Sequence, residues 1–193
     1  MNDMNVDIRV NKELVGNLMV LIANKCKPLY FTKLLKILYL IDEEYTKKFG
    51  YPLTWLKYEA WELGPVPRDV FYSKNKGLNR YSKYITFQDV GENKKIVKAA
   101  TEFDDMEFSD ADLSLVNDVI NKYQHNNVNE LINIVHKEGS LWKKTKDKFG
   151  LKFSPDNKTS DVQLDFSDLL DDEMKQHYFD GLEFLQLKAS LLD

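Results

Sequence analysis

Apolar positions recur at helical spacing from the start of the chain. Leu14, Val15, Leu18, Met19 and Ile22 fall three or four residues apart, which predicts a helix with one apolar face. Asn11 stands where an N-cap would accept from the free amides of its first turn, and Pro28 closes it. A second stripe of Leu34, Leu35, Leu38, Ile41 and Tyr45 predicts the next helix, with Thr32 as its cap and Gly50 and Pro52 as stop signals. Leu53 to Trp61 is rich in aromatic residues, and its periodicity leaves strand and helix both open. Beyond it, Gly64-Pro65-Val66-Pro67 reads as a stiff corner, because proline fixes φ and disfavours helix in the residue before it. Pro67 can open a further helix through Arg68, Val70, Phe71 and Tyr72, ended by Gly77.

The second half alternates between the two periods. Tyr84 to Val90 and Lys94 to Ala99 flank Gly91-Glu92-Asn93 and carry Ile85, Phe87, Ile96 and Val97, which predicts a β-hairpin. Ser109, with Asp112 three residues on, is the capping pattern of a helix whose stripe is Leu113, Val116, Val119, Ile120 and Tyr123. Val128, Leu131, Ile132 and Val135 predict another helix, and a short one starts near Leu141 and Trp142. Gly150 to Asp165 mixes Pro, Asn, Ser, Thr and Asp and reads as a linker. Leu170, Met174, Tyr178, Leu182, Leu185 and Ala189 then give a final helix of about 20 residues, roughly 30 Å long. The fold expected is mainly α, in effect all-α: a compact helical domain with one small β-hairpin and a C-terminal helix. Residues 1–150 form the principal domain. Residues 151–193 form a polar linker and a helix docked on that same domain.

Composition narrows the classes. At 193 residues, with 43% hydrophobic and 30% charged residues, the chain can bury a sizeable core. A net charge of -4 gives no general attraction to nucleic acid. Met1 to Val10 is polar and unlike a signal peptide, and the apolar runs are too short to span a bilayer. The lone Cys26 excludes an internal disulfide and any cysteine-based zinc cluster. A cytoplasmic protein is expected, with no membrane partner. Charge is uneven: Lys137 to Lys152 carries a net +4 and Asp161 to Asp193 a net -7. These segments can be two solvated faces that attract each other. The acidic one can instead be an arm for a basic partner, where complementary charge speeds encounter.

Catalytic chemistry finds little support. His125, His136 and His177 are isolated, without the spacing of a metal site. Cys26 and His136 lack a third orienting group. No G-x-S-x-G, P-loop or G-x-G-x-x-G occurs. No enzyme, cofactor or metal is expected.

More than half of the Phe, Tyr and Trp residues lie between Tyr30 and Phe87. Within this region Phe31-Thr32-Lys33-Leu34-Leu35-Lys36-Ile37-Leu38-Tyr39, Gly50-Tyr51-Pro52-Leu53 and Tyr58-Glu59-Ala60-Trp61-Glu62-Leu63-Gly64-Pro65-Val66 stand in order. Further on comes His136-Lys137-Glu138-Gly139-Ser140-Leu141-Trp142, with Val135 and Leu141 where Thr and Pro would complete the pattern. Together, over roughly Leu14 to Lys148, these resemble the Panacea domain, the SocA-like antitoxin family often described as phage-associated. The resemblance implies a mainly helical fold with a small β component. It also implies an antitoxin that silences, by direct binding, a toxin encoded in a neighbouring gene. The alternative is a proteolytic adaptor that delivers a partner for degradation. A homodimer and a protease are thus open as further partners.

The candidate partner-binding residues are Trp61, Gly64, Pro65, Arg68, Tyr72, His136 and Trp142. Gly64 and Pro65 can shape a recognition surface or serve as a rigid corner, and Trp61 can be core or contact. Arg68 and Tyr72 are the stronger contact candidates, because Arg and Tyr are enriched among binding hot spots. His136 and Trp142 enter through the resemblance alone.

Overall fold

The computed structural model describes residues 10–75, 79–92 and 94–190, with the side chains of 188–190 left aside. The expected helix stop at Gly77, the turn residue Asn93, the polar start from Met1 and the side chain of Ala189 lie outside the described part. Among the described residues no helix is long and apolar enough to cross a membrane.

Helix α1 (Lys12–Lys25) is capped by Asn11, whose Oδ1 accepts from the amides of Glu13 and Leu14 at 3.1 Å each. Strand β1 (Leu29–Tyr30) leads into α2 (Phe31–Phe49). Tyr30, not Thr32, holds the N-cap position of α2 and makes no side-chain bond there, so Thr32 sits inside the first turn. Gly50 ends the helix in the left-handed conformation, φ +86°, which glycine adopts without Cβ strain. The stripe expected on α2 is buried, and so is most of the rest, including Lys33, Lys36, Asp42 and Thr46. A helix enclosed on nearly every face is the centre of a core rather than one wall of it.

Two strands follow, β2 (Tyr58–Trp61) and β3 (Gly64–Pro67), paired antiparallel with Trp61 opposite Gly64. Pro67 then stands at the N-cap of the short helix α3 (Arg68–Tyr72). Strands β4 (Ile85–Asp89) and β5 (Lys95–Ala99) form the expected hairpin, and β1 adds to its far edge with Leu29 opposite Val97. Helices α4 (Asp110–Tyr123), α5 (Val128–His136) and α6 (Leu141–Lys148) come next. Ser109 and Asp112 close the expected reciprocal cap on α4, Asn127 and Glu130 close a second on α5, and Ser140 caps α6. A 3-10 turn (Phe166–Leu169) precedes α7 (Asp172–Ser190).

The all-α expectation is therefore overturned. The fold is mainly helical, but with 51% helix and 13% strand in two small sheets among the described residues it is mixed α/β. Two elements account for the difference. β1 is only two residues long, too short to show a strand period. β3 consists of Gly-Pro-Val-Pro, which reads as a corner when taken alone.

One buried network fixes where β2 begins. Asp42 Oδ1 accepts from the Thr54 amide at 2.8 Å, and Asp42 Oδ2 accepts from the hydroxyls of Tyr58, at 2.7 Å, and Thr54. Burial raises the Asp42 carboxyl to about 6, against the pull of these donors. The network ties the loop after α2, and the start of β2, back to the central helix.

The segment expected as a linker lies against the other side of β2. The amides of Glu62, Ala60 and Leu164 donate to the carbonyls of Lys158, Val162 and Tyr58, each at 2.9 Å. Lys148 meets Asp168 at 3.5 Å, an exposed ion pair between the basic and acidic segments. In α7, Tyr178 packs against Trp55 with ring centroids 5.4 Å apart, and Met174 and His177 approach Gly50. Phe179 and Phe184, which the expected stripe leaves out, face solvent.

Candidate functional site

The β2–β3 hairpin explains why a strand can be built from two prolines. In an antiparallel pair, backbone groups point alternately toward the partner strand and away from it. Tyr58 and Ala60 turn theirs away from β3, toward Val162 and Leu164. Their partners across the pair are Pro67 and Pro65, which therefore also face outward. Proline at these positions removes amides that the ladder does not use. The outward carbonyl of Pro65 needs a donor, and Lys36 supplies it, with Nζ at 2.7 Å in the buried interior. Burial lowers the Lys36 ammonium to about 7.

Gly64 closes the inner side. Its φ is +99°, and a Cβ there would lie 2.7 Å from Val135 Cγ2, 3.2 Å from Lys36 Nζ and 3.3 Å from His136 Nε2. Only glycine admits both that backbone and that approach. His136 stacks on Trp142 with ring centroids 3.7 Å apart and planes 11° off parallel. Its Nε2 is buried and has no hydrogen-bond partner among the described residues. Burial first, then the cations Lys36 and Lys146, lower the imidazole to about 4, so it is neutral at pH 7. Trp142 Nε1 donates to the Trp61 carbonyl at 2.9 Å and ties α6 to the hairpin. Lys36 Nζ and His136 Nε2 are two bases that both approach the backbone of Gly64. Held against Gly64 and the Pro65 carbonyl, the arrangement works as a clamp on the hairpin.

The outer side carries the accessible groups. Trp61 Nε1 donates to Glu59 Oε2 at 3.0 Å and to the Ser160 carbonyl at 3.1 Å. Glu59 is buried, and its other oxygen accepts from Arg68 Nη1 at 3.0 Å. One carboxylate thus orients an indole and a guanidinium on the same face. Arg68 lies 5.7 Å from the ring centroid of Tyr72. Phe71 meets Trp61 edge-on at 4.6 Å and Tyr72 at 5.5 Å. Tyr72 is 40% exposed and Leu63, in the hairpin turn, 50%.

The structure brings all seven candidate residues into one neighbourhood, in two layers. Gly64, Pro65 and Trp142 are buried, and the buried Nε2 of His136 points inward with them. Trp61, Arg68 and Tyr72 reach the surface. Sequence reasoning missed Lys36, Glu59, Phe71 and Ser160. Lys36 had no local signal, because it shares a face of α2 with Thr32, Lys33, Glu43 and Lys47 and is buried only by what packs over that face. Ser160 had none, because its place beside Trp61 is set by tertiary pairing. Cys26 is buried at the end of α1, and burial raises its thiol, the reverse of what an activated nucleophile needs. Among the described residues no three His, Cys, Asp or Glu side chains gather as a metal site would require.

Residues 34–143, more than half of the chain, match the family described as antitoxin SocA-like, Panacea domain. The match runs from Leu34 within α2 through the hairpin and α5 to the start of α6, and so contains the whole clamp. Comparison with curated proteins and with solved structures finds no match.

Proposed function

The chain belongs to the SocA-like Panacea domain family, and from that premise we propose that it is an antitoxin that neutralises the toxin of a neighbouring gene by direct binding, without catalysis, in the cytoplasm. The observation that carries this reading is the outer face of the clamp. Glu59 holds Trp61 and Arg68 in fixed positions beside Phe71 and Tyr72. Preorganised aromatic and Arg anchors lose little freedom on binding, which is what a tight protein interface needs. The buried layer of Lys36, Gly64, His136 and Trp142 keeps that face in shape.

A second reading is the proteolytic adaptor. It draws support from a second accessible surface, the face of α7 that bears Phe179 and Phe184 among Asp180 and Glu183. An adaptor needs one surface for its client and another for a protease.

Expressing the chain and its adjacent-gene product from separate promoters tests the antitoxin reading. Growth arrest by the product alone, relieved when the chain is induced, is the expected result. Arrest that persists with soluble chain present would overturn it.

A further inference from the structure

We infer that the partner segment covering the outer face presents an acidic side chain to Lys74; this deepens the antitoxin reading and rests on it. The aromatic residues beside α3 form a continuous strip. Trp61 meets Phe71 at 4.6 Å, Phe71 meets Phe31 at 6.1 Å and Phe31 meets Phe87 at 5.3 Å. Lys74 lies over the middle of it, with Nζ 3.6 Å from the centroid of Phe71 and 5.8 Å from that of Phe31. Cation–π attraction holds an ammonium in place and leaves the N–H donors that point away from the ring for another acceptor.

Two cations share this strip, and they are provided for differently. Arg68 has the Glu59 carboxylate, supplied from inside the fold. Among the described residues no Asp or Glu oxygen lies within 4.0 Å of Lys74 Nζ. Lys95, the cation close enough to act on Lys74, is itself paired with Asp89. Partial burial, and then Lys95, both disfavour the charged form of Lys74. A carboxylate arriving over Phe71 would offset both effects and use the donors that point away from the ring. A polyanion such as nucleic acid fits less well. Glu62 stands in the hairpin turn and Asp69 on α3, and the chain carries a net charge of -4.

The experiment measures the affinity of the purified adjacent-gene product for the full chain at two salt concentrations. Wild type, Lys74→Ala, Lys74→Glu and Tyr72→Ala are compared, each first shown to unfold at the wild-type temperature. Lys74→Ala is expected to bind about tenfold more weakly, with a smaller salt dependence. Lys74→Glu should bind more weakly still, and one Asp or Glu→Lys change in the product should restore it. Wild-type affinity in Lys74→Glu with weakened binding in Tyr72→Ala would overturn the inference and leave the surface as the interface. Unchanged binding in both would overturn the surface as well. Retention of a short random DNA duplex by wild type but not by Lys74→Glu would reassign Lys74 to phosphate. No binding by wild type would remove the antitoxin reading, and this inference with it.

Discussion

Lys36 Nζ donates to the carbonyl oxygen of Pro65 at 2.7 Å, inside the protein and out of reach of water. This bond joins the central helix to the outward edge of a strand whose prolines have no amides to offer. It makes the Gly-Pro-Val-Pro segment a seated strand instead of a free corner.

The bond has a pH signature. Lys36 is lowered to about 7 in the folded protein, from 10.5 when exposed. Between these values the unfolded chain holds a proton that the folded chain lacks, so this group's contribution to stability rises with pH. Lys36→Met removes it. Wild-type stability relative to Lys36→Met should therefore increase from pH 7 upward, measured below pH 10 where tyrosines begin to titrate. Parallel pH profiles would show that Lys36 is not desolvated.

His136 and Asp42 act in opposite senses at lower pH. His136 is lowered to about 4 from 6.5, so its contribution to stability grows as pH rises through that window. Asp42 is raised to about 6 from 3.8, so its contribution falls over nearly the same range. His136→Phe should unmask the Asp42 trend. Urea titrations of wild type and variant from pH 4 to 6 would show the wild-type advantage growing with pH. A constant difference would contradict the burial of the imidazole.

Gly64→Ala meets two obstacles, a φ of +99° and the Val135 methyl at 2.7 Å. A loss of about 1–3 kcal/mol is expected from the backbone strain alone. Thermal unfolding checks it, and an unchanged midpoint would mean that the hairpin does not press on α5.

Arg68→Ala should do the reverse. The guanidinium is exposed, but its partner Glu59 is buried and keeps only the Trp61 Nε1 donor of the two in the variant, so the unfolding midpoint should fall modestly. Affinity for the adjacent-gene product should fall about tenfold or more, as for an anchor residue. A large drop in stability would place Arg68 in the scaffold instead.

Much of the helical layout was legible because its signals are local. Asn11, Ser109 with Asp112, and Gly50 each act on the turn beside them, and each stands where the sequence places it. The β2–β3 pair was obscured because its prolines read as breakers. Their spacing of two is the recoverable signal, since it puts both on outward-facing positions. The buried charges were missed for a related reason. Asp42 looks like a surface residue until Leu35, Leu38 and Tyr45 around it are counted, whereas Lys36 shares a face with Lys33, Glu43 and Lys47 and is buried only once β3 packs over it. In α7 the stripe of Met174, Tyr178, Leu182 and Leu185 is half-buried, while Phe179 and Phe184 point to solvent, which a one-sided stripe does not anticipate. The layering of the site was beyond local patterning, because Trp142 reaches Trp61 only through the packing of α6 on the hairpin.

The central claim is neutralisation by binding, and the most direct test is inhibition in a purified system that contains no protease. The adjacent-gene product is assayed for its own toxic activity while the chain is titrated in. Inhibition should saturate at a fixed stoichiometry, and Arg68→Ala should need about tenfold or more chain to reach the same inhibition. Relief of growth arrest in cells, with no inhibition by the purified chain, would contradict it and favour delivery to a protease.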